Sequence, residues 1–297
     1  MKDLWDRIEM LSVIIPCQED GVLLFPTLKS IFSNHFRPQD FEVLLICSDD
    51  ALPEKIVSEF PVKLYSGAFE GQAQALNWGL QKTRGDIICT TKPGCVVASD
   101  WLTEIARYLE GSQSVDGVGG PVLPCWEYGT NLQKLASEIF SEEQRFPTSV
   151  VVPKLGSCQG LFHATNSAFR KEALTSVKFD ESLIYDYDFD VCWKMLRKGN
   201  RLVYNPEMKV RYVFPFGLQS ILRRYYVWGK EKVIVQRKHF SGTDLNAFLL
   251  TPYGMVRSLF QPSWLVSRKK LLTFVQHLAF NLGRIRGYGV RQNQIFA

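Results

Sequence analysis

Leu11 to Glu19 reads LSVIIPCQE and Phe41 to Ser48 reads FEVLLICS, two short apolar, β-branched runs of the kind that form buried parallel strands. Between them Val22, Leu24, Phe25, Leu28, Ile31 and Phe32 recur at roughly helical spacing, so this part of the chain predicts a βαβ unit. A short strand around Val62 to Tyr65, a helix over Gly71 to Thr83 (GQAQALNWGLQKT) and a third apolar run from Asp86 to Thr90 continue the alternation. Strands alternating with helices predict a mostly parallel α/β sheet with helices on both faces and ligands beyond the carboxyl ends of the strands. Asp100 reads as the N-cap of a further helix over Trp101 to Leu109.

The chemistry concentrates in FDESLIYDYDFDVCWKMLRKG (Phe179 to Gly199), where Asp186, Asp188 and Asp190 alternate just before Val191, Trp193, Met195 and Leu196. Carboxylates packed so closely repel, so at least one is expected to be paired, to bind a cation, or to carry a raised pKa suited to taking a proton. Acidic residues in a first helical turn also complement the macrodipole, and the residues themselves leave both readings open.

Taken in order, these segments resemble the inverting family 2 glycosyltransferases over about Leu11 to Lys230, which implies a Rossmann-like GT-A fold and a nucleotide-sugar donor. SVIIPCQE is similar to that family's first strand and nucleotide-contacting turn, with Pro16 shaping the turn and Glu19 on it. ALNWGLQKTRGDII (Ala75 to Ile88) resembles the helix and glycine turn before the central strand, where Asn77 either contacts the nucleotide sugar or is a solvated helix position. VGGPV (Val118 to Val122) and ATNSAFRKEAL (Ala164 to Leu174) resemble the later strand and acceptor-side loop, which puts Asn166 at the pocket. The resemblance implies Asp188 as catalytic base, Tyr187 and Asp186 on the acceptor side, and Asp49 near the nucleotide.

The departures carry equal weight. The family's Asp-x-Asp pair holds a divalent ion on the diphosphate, and here TTKPGCVVASDWL places Lys92 and Gly94 at those positions. Cys47 and Ser48 precede Asp49 and Asp50, and Arg211 or Tyr212 stands where a metal-site histidine often lies. Magnesium and manganese want oxygen ligands, which lysine cannot supply, so no cofactor is expected unless other ligands serve. Two readings follow. In one, Lys92, helped by Arg84 or by Gln219, Arg223 and Arg224 of QSILRRYYVWG, stabilises the departing diphosphate, and Asp188 deprotonates an acceptor hydroxyl. In the other, the chain is a degenerate relative that binds or supports a partner without turnover.

The 297 residues, 46% hydrophobic and 22% charged, fit one catalytic domain, taken as residues 1–215, with a basic helical C-terminal region, residues 216–297. Residues 1–200 carry 19 Lys and Arg against 27 Asp and Glu, whereas residues 201–297 carry 16 against 3. In that basic tail Leu271, Phe274, Val275, Leu278 and Leu282 line one helical face after Arg268, Lys269 and Lys270, with Trp264 just before. Such a helix either lies in a membrane interface or packs back on the domain. A glycan or lipid-linked acceptor is expected, and nucleic acid is not, since no nucleic-acid signature occurs. Seven scattered cysteines with no C-x-x-C pair, no signal peptide and no run of about 18 apolar residues predict a cytoplasmic, at most membrane-peripheral, protein. Residues 124–153 read as a helix followed by an acceptor loop able to act as a lid.

Overall fold

The computed structural model describes residues 10–17, 23–48, 57–109, 115–144, 146–154, 161–213, 217–240 and 268–289. Glu19, Asp49, Asp50, Cys158 and Trp264 lie outside these residues. Ten strands are described: β1 Leu11–Cys17, β2 Phe41–Ser48, β3 Lys63–Gly67, β4 Ile87–Thr90, β5 Cys95–Val97, β6 Gly117–Gly119, β7 Val122–Pro124, β8 Ser167–Arg170, β9 Leu202–Tyr204 and β10 Val210–Tyr212. The helices are α1 Leu24–Phe32, α2 Gln72–Lys82, α3 Trp101–Leu109, α4 Asn131–Gln144, α5 Lys171–Val177, α6 Tyr187–Arg197, α7 Leu218–His239 and α8 Arg268–Tyr288.

Seven strands form one sheet of order β3-β2-β1-β4-β8-β6-β9, and β5-β10-β7 form a smaller one. The first four strands are parallel, β8 runs antiparallel to β4 and β6, and β9 is parallel to β6. This is the mixed, mostly parallel GT-A arrangement. β1 is wholly buried and pairs with β2 from Leu11↔Phe41 to Cys17↔Cys47, but with β4 only from Leu11 to Ile14. Pro16 therefore sits beyond the β4 ladder, where a residue without an N–H leaves no bond unmade on that side.

Alternation along the strands divides the core in two. Leu11, Val13, Ile15, Val43 and Leu45 point to the face covered by α1 and α3, against Leu24, Leu28, Trp101 and Ile105. Ile14, Leu44, Ile46 and Ile88 point to the other face, against Ala73, Leu76 and Leu80 of α2 and residues of α5 and α6. The six described cysteines are all buried thiols.

Of the basic tail, α7 and α8 pack closely on each other, and α8 is tied to α4. A Cβ on Gly229 of α7 would lie 1.9 Å from the Phe280 carbonyl oxygen, and one on Gly283 of α8 would lie 1.8 Å from that of Tyr226. Gly287 meets Lys230 and Val233 in the same way, so the two helices advance together and pack backbone to backbone in parallel. Lys269 donates to Glu138 and Glu142 of α4 at 2.6 and 2.7 Å, while His277 meets Glu143 at 2.7 Å. α8 buries Leu272, Gln276 and Phe280, whereas the apolar stripe through Leu271 and Leu282 faces outward.

One buried carboxylate fastens the sheet to the turn after α2. Glu42 of β2 accepts from Ser12 Oγ at 2.7 Å, Lys63 Nζ at 2.8 Å, and the Arg84 backbone N–H and Nε at 2.6 and 3.0 Å. Burial alone would raise its pKa, but these donors hold it at about 2 instead of the ordinary 4.5. The resulting stability is complete above pH 4.5 and is lost as pH falls toward 2. Glu42→Gln is expected to cost about 2 kcal/mol at neutral pH in urea denaturation. The gap to the parent chain should close between pH 4.5 and 2.

Candidate active site

The pocket lies beyond the carboxyl end of β4, where parallel α/β sheets bind ligands. Thr91 donates its hydroxyl to the Thr165 carbonyl at 3.0 Å, and Gly94 closes the turn into β5 at φ +90°, a conformation that favours glycine. A side chain at Gly94 would also place its Cβ 2.8 Å from the Val213 carbonyl oxygen. Lys92 is held on this turn. Its Nζ donates to Gln72 Oε1 at 3.4 Å and lies 5.8 Å from the centre of the Tyr212 ring. Gln72 Oε1 also accepts from the Tyr187 hydroxyl at 2.7 Å.

The three aspartates meet three different surroundings. Asp188, in the first turn of α6, accepts from the Phe189 N–H at 2.8 Å and the Ala164 N–H at 3.0 Å, with His163 Nδ1 3.9 Å away. It stays 19% exposed and lines the pocket. Asp190 is fully buried and meets His239 at 2.7 Å, Lys194 at 2.6 Å and Lys238 at 2.9 Å. Burial opposes its ionisation, but these partners hold its pKa at about 2. Asp186 is buried and accepts from Trp228 Nε1 at 2.8 Å. Burial lifts its pKa to about 7, with Glu231 and Asp188 adding repulsion while Lys232 and the Trp228 N–H pull the other way.

Glu231 of α7 accepts the backbone N–H groups of Ile184, Tyr185 and Asp186 at 2.7, 2.8 and 3.1 Å. Burial raises its pKa against the lowering effect of these donors. The carboxyl group thereby fixes the loop that delivers Tyr185, Tyr187 and Asp188. On the other wall Asn166 is fully buried, donating to the Pro121 and Met208 carbonyls and accepting from Trp101 Nε1. It anchors the turn that presents His163, Ala164 and Thr165.

The cleft is lined by Lys92, Tyr187, Asp188 and Arg224 together with Phe140, His163, Thr165, Tyr185 and Tyr212. Arg224 stacks on Tyr185 at 5.0 Å. Of the residues singled out from sequence, the first four meet here. Asn77 is elsewhere, its amide bonded to Phe179 and Glu181, and Gln219 and Arg223 are exposed on α7. Pro16 and Gly94 shape backbone, Asp186 lies behind the wall, and Glu19 and Asp49 fall outside the described residues. His163 carried no sequence signal beyond being one of four histidines, since its nearness to Asp188 depends on a contact across 25 residues.

Among the described residues no group of three His, Cys, Asp or Glu could hold a metal ion. The described pocket presents one carboxylate and one imidazole beside two cationic side chains. That donor set does not fit a hard divalent ion, which wants several oxygens and is repelled by positive charge.

A mixed α/β sheet of this order, with a carboxylate in a cationic cleft at the end of the central strand, defines a GT-A-type transferase. The chain belongs to glycosyltransferase family 2: the model of glycosyl transferase family group 2 matches residues 95–281, and that of glycosyl transferase family 2 matches residues 12–177. It is 21% identical over 94% of its length to dolichyl N-acetyl-alpha-D-glucosaminyl phosphate 3-beta-D-2,3-diacetamido-2,3-dideoxy-beta-D-glucuronosyltransferase of Methanococcus voltae, covering 88% of that protein. The fold is similar to mannosyltransferase PcManGT from Pyrobaculum calidifontis in complex with GDP-Man and Mn2+ (TM-score 0.63, 15% identity, 94% and 87% of the two chains). It is also similar to S. aureus TarS 1-349 in complex with UDP-GlcNAc (TM-score 0.55, 15% identity, 96% and 92%).

The raised Asp186 pKa sets a sign for pH. Its folded value of about 7 exceeds the ordinary 3.8, so ionisation costs stability as pH rises through that interval. Asp186→Asn is expected to be more stable than the parent at pH 8, by about 1 kcal/mol or more, with the advantage gone at pH 4. Urea midpoints at the two pH values measure this directly.

Proposed function

We propose that this transferase moves a sugar from a nucleotide diphosphate donor to an acceptor hydroxyl with inversion. The observation that supports this best is Asp188, oriented by two backbone N–H groups in a cleft shared with Lys92 and Arg224. Asp188 takes the acceptor proton as the hydroxyl oxygen attacks the anomeric carbon. The bond from that carbon to the diphosphate oxygen breaks on the opposite face, and the nucleotide diphosphate leaves with the bonding pair.

Lys92 and Arg224 supply fixed positive charge for the leaving group, as preorganised cations can. Lys92 occupies the sequence position of the usual metal-binding motif, so transfer proceeds without a divalent ion in this reading. Tyr185, Tyr187 and Tyr212 line the cleft beside these cations, and aromatic walls suit a sugar, which offers both apolar C–H surfaces and hydrogen-bonding groups. The acceptor is a glycan or lipid-linked saccharide, the class named for the Methanococcus voltae relative.

Titration calorimetry with UDP, GDP and their sugars tests the leaving-group site. Binding should survive EDTA and weaken about 10- to 100-fold in Lys92→Ala, as loss of a charge-assisted contact predicts. Binding that disappears with EDTA and returns with Mn2+ would overturn the metal-free reading. Asp188→Asn should bind the same donor with unchanged affinity while turnover falls about 10²- to 10⁴-fold, the range for a lost general base.

A further inference from the structure

The outward side of α8 has no counterpart in the chemistry above. At 100° per residue Leu271, Leu278, Leu282 and Ile285 fall within an arc of about 60°, flanked by Phe274 and Val275, and extend over about 21 Å of helix. This stripe is opposite the face that packs on α7. Leu271 is 48% exposed, Leu282 51% and Ile285 68%. An ordinary surface helix turns such a stripe inward. Here Gly283 and Gly287 turn the other side inward by backbone contact with α7.

The charge around the stripe identifies its partner. Arg268, Lys270 and Arg286 are exposed, whereas Lys269 is turned inward to Glu138 and Glu142. Arg268 to Tyr288 contains no Asp or Glu, and residues 201–297 carry 16 basic against 3 acidic residues. A protein partner would need a complementary groove, whereas a single ridge of aliphatic side chains between cations matches the boundary between headgroups and acyl chains. No described helix is long and apolar enough to cross a membrane.

We infer that α8 is a docking face for an anionic lipid bilayer, lying in its surface with Leu271, Leu278, Leu282 and Ile285 inserted and Arg268, Lys270 and Arg286 at the phosphate level. The inference is independent of the sugar transferred and of whether a metal takes part.

Co-sedimentation of the full chain with vesicles of phosphatidylcholine and phosphatidylglycerol tests it, against vesicles of phosphatidylcholine alone. Binding should be at least ten-fold tighter to the anionic vesicles and should weaken with salt. Leu282→Glu/Ile285→Glu and, separately, Arg268→Gln/Lys270→Gln/Arg286→Gln should each lose ten-fold or more. Circular dichroism and an unchanged affinity for nucleoside diphosphate report that the fold and the cleft are intact. Should the glutamate pair disturb the fold, Leu282→Gln/Ile285→Gln provides the same comparison. Equal vesicle binding by parent and variants, or none by the parent, overturns the proposal. So does a parent dimer in light scattering that the apolar variant dissolves without any vesicle binding, since the stripe would then belong to a second copy.

Discussion

Three backbone N–H groups, those of Ile184, Tyr185 and Asp186, converge on the carboxyl group of Glu231, and the shape of the site depends on that convergence. The segment enters α6 with its first amides unsatisfied by the helix itself, as every helix start does. A side chain from 45 residues downstream satisfies the amides just before that start, and Asp186 at the N-cap position makes no side-chain cap bond of its own. The loop is thereby tied to α7, and Tyr185, Tyr187 and Asp188 inherit their positions from the tie. Removing that one acceptor would leave three donors without their partner, and the loss is costliest at Asp186, which is buried.

The same helix start explains why neighbouring carboxylates differ so much. Asp190 lies among Lys194, Lys238 and His239 and is an anion by pairing. Asp186 lies between the acidic Glu231 and the basic Lys232 in a buried setting that favours its neutral form. Asp188 alone keeps an opening to the cleft. The arrangement separates the repelling charges by giving each a different environment, so that only one is presented to a ligand.

Much of the fold was legible in local pattern. β1 and β2 were plain as unbroken apolar runs because strands buried on both faces need no polar alternation, and Trp101 to Leu109 emerged as a helix with those bounds. The alternating aspartates were visible as a cluster, but their separate surroundings were not, because Trp228, Glu231, Lys238 and His239 reach them from a helix 40 to 50 residues away. Asn166 read as a pocket position and Asn77 as either a sugar contact or a solvated helix position, yet the amides of both bind backbone carbonyls of remote segments. His163 and Tyr212 join the cleft by long-range packing that no short window contains. The stripe of α8 was evident as periodicity, while the direction it faces depends on glycines that a hydrophobicity pattern does not weigh.

Those glycines bear on how far the chain can be shortened. α7 and α8 touch backbone to backbone, and Phe280 of α8 packs on Trp228, the residue whose indole N–H holds Asp186 beside Asp188. A chain ending after α7 would uncover one side of that indole. The tail that looks detachable by composition is therefore part of the wall behind Asp188, and the smallest unit that preserves the cleft as described extends through Gly287.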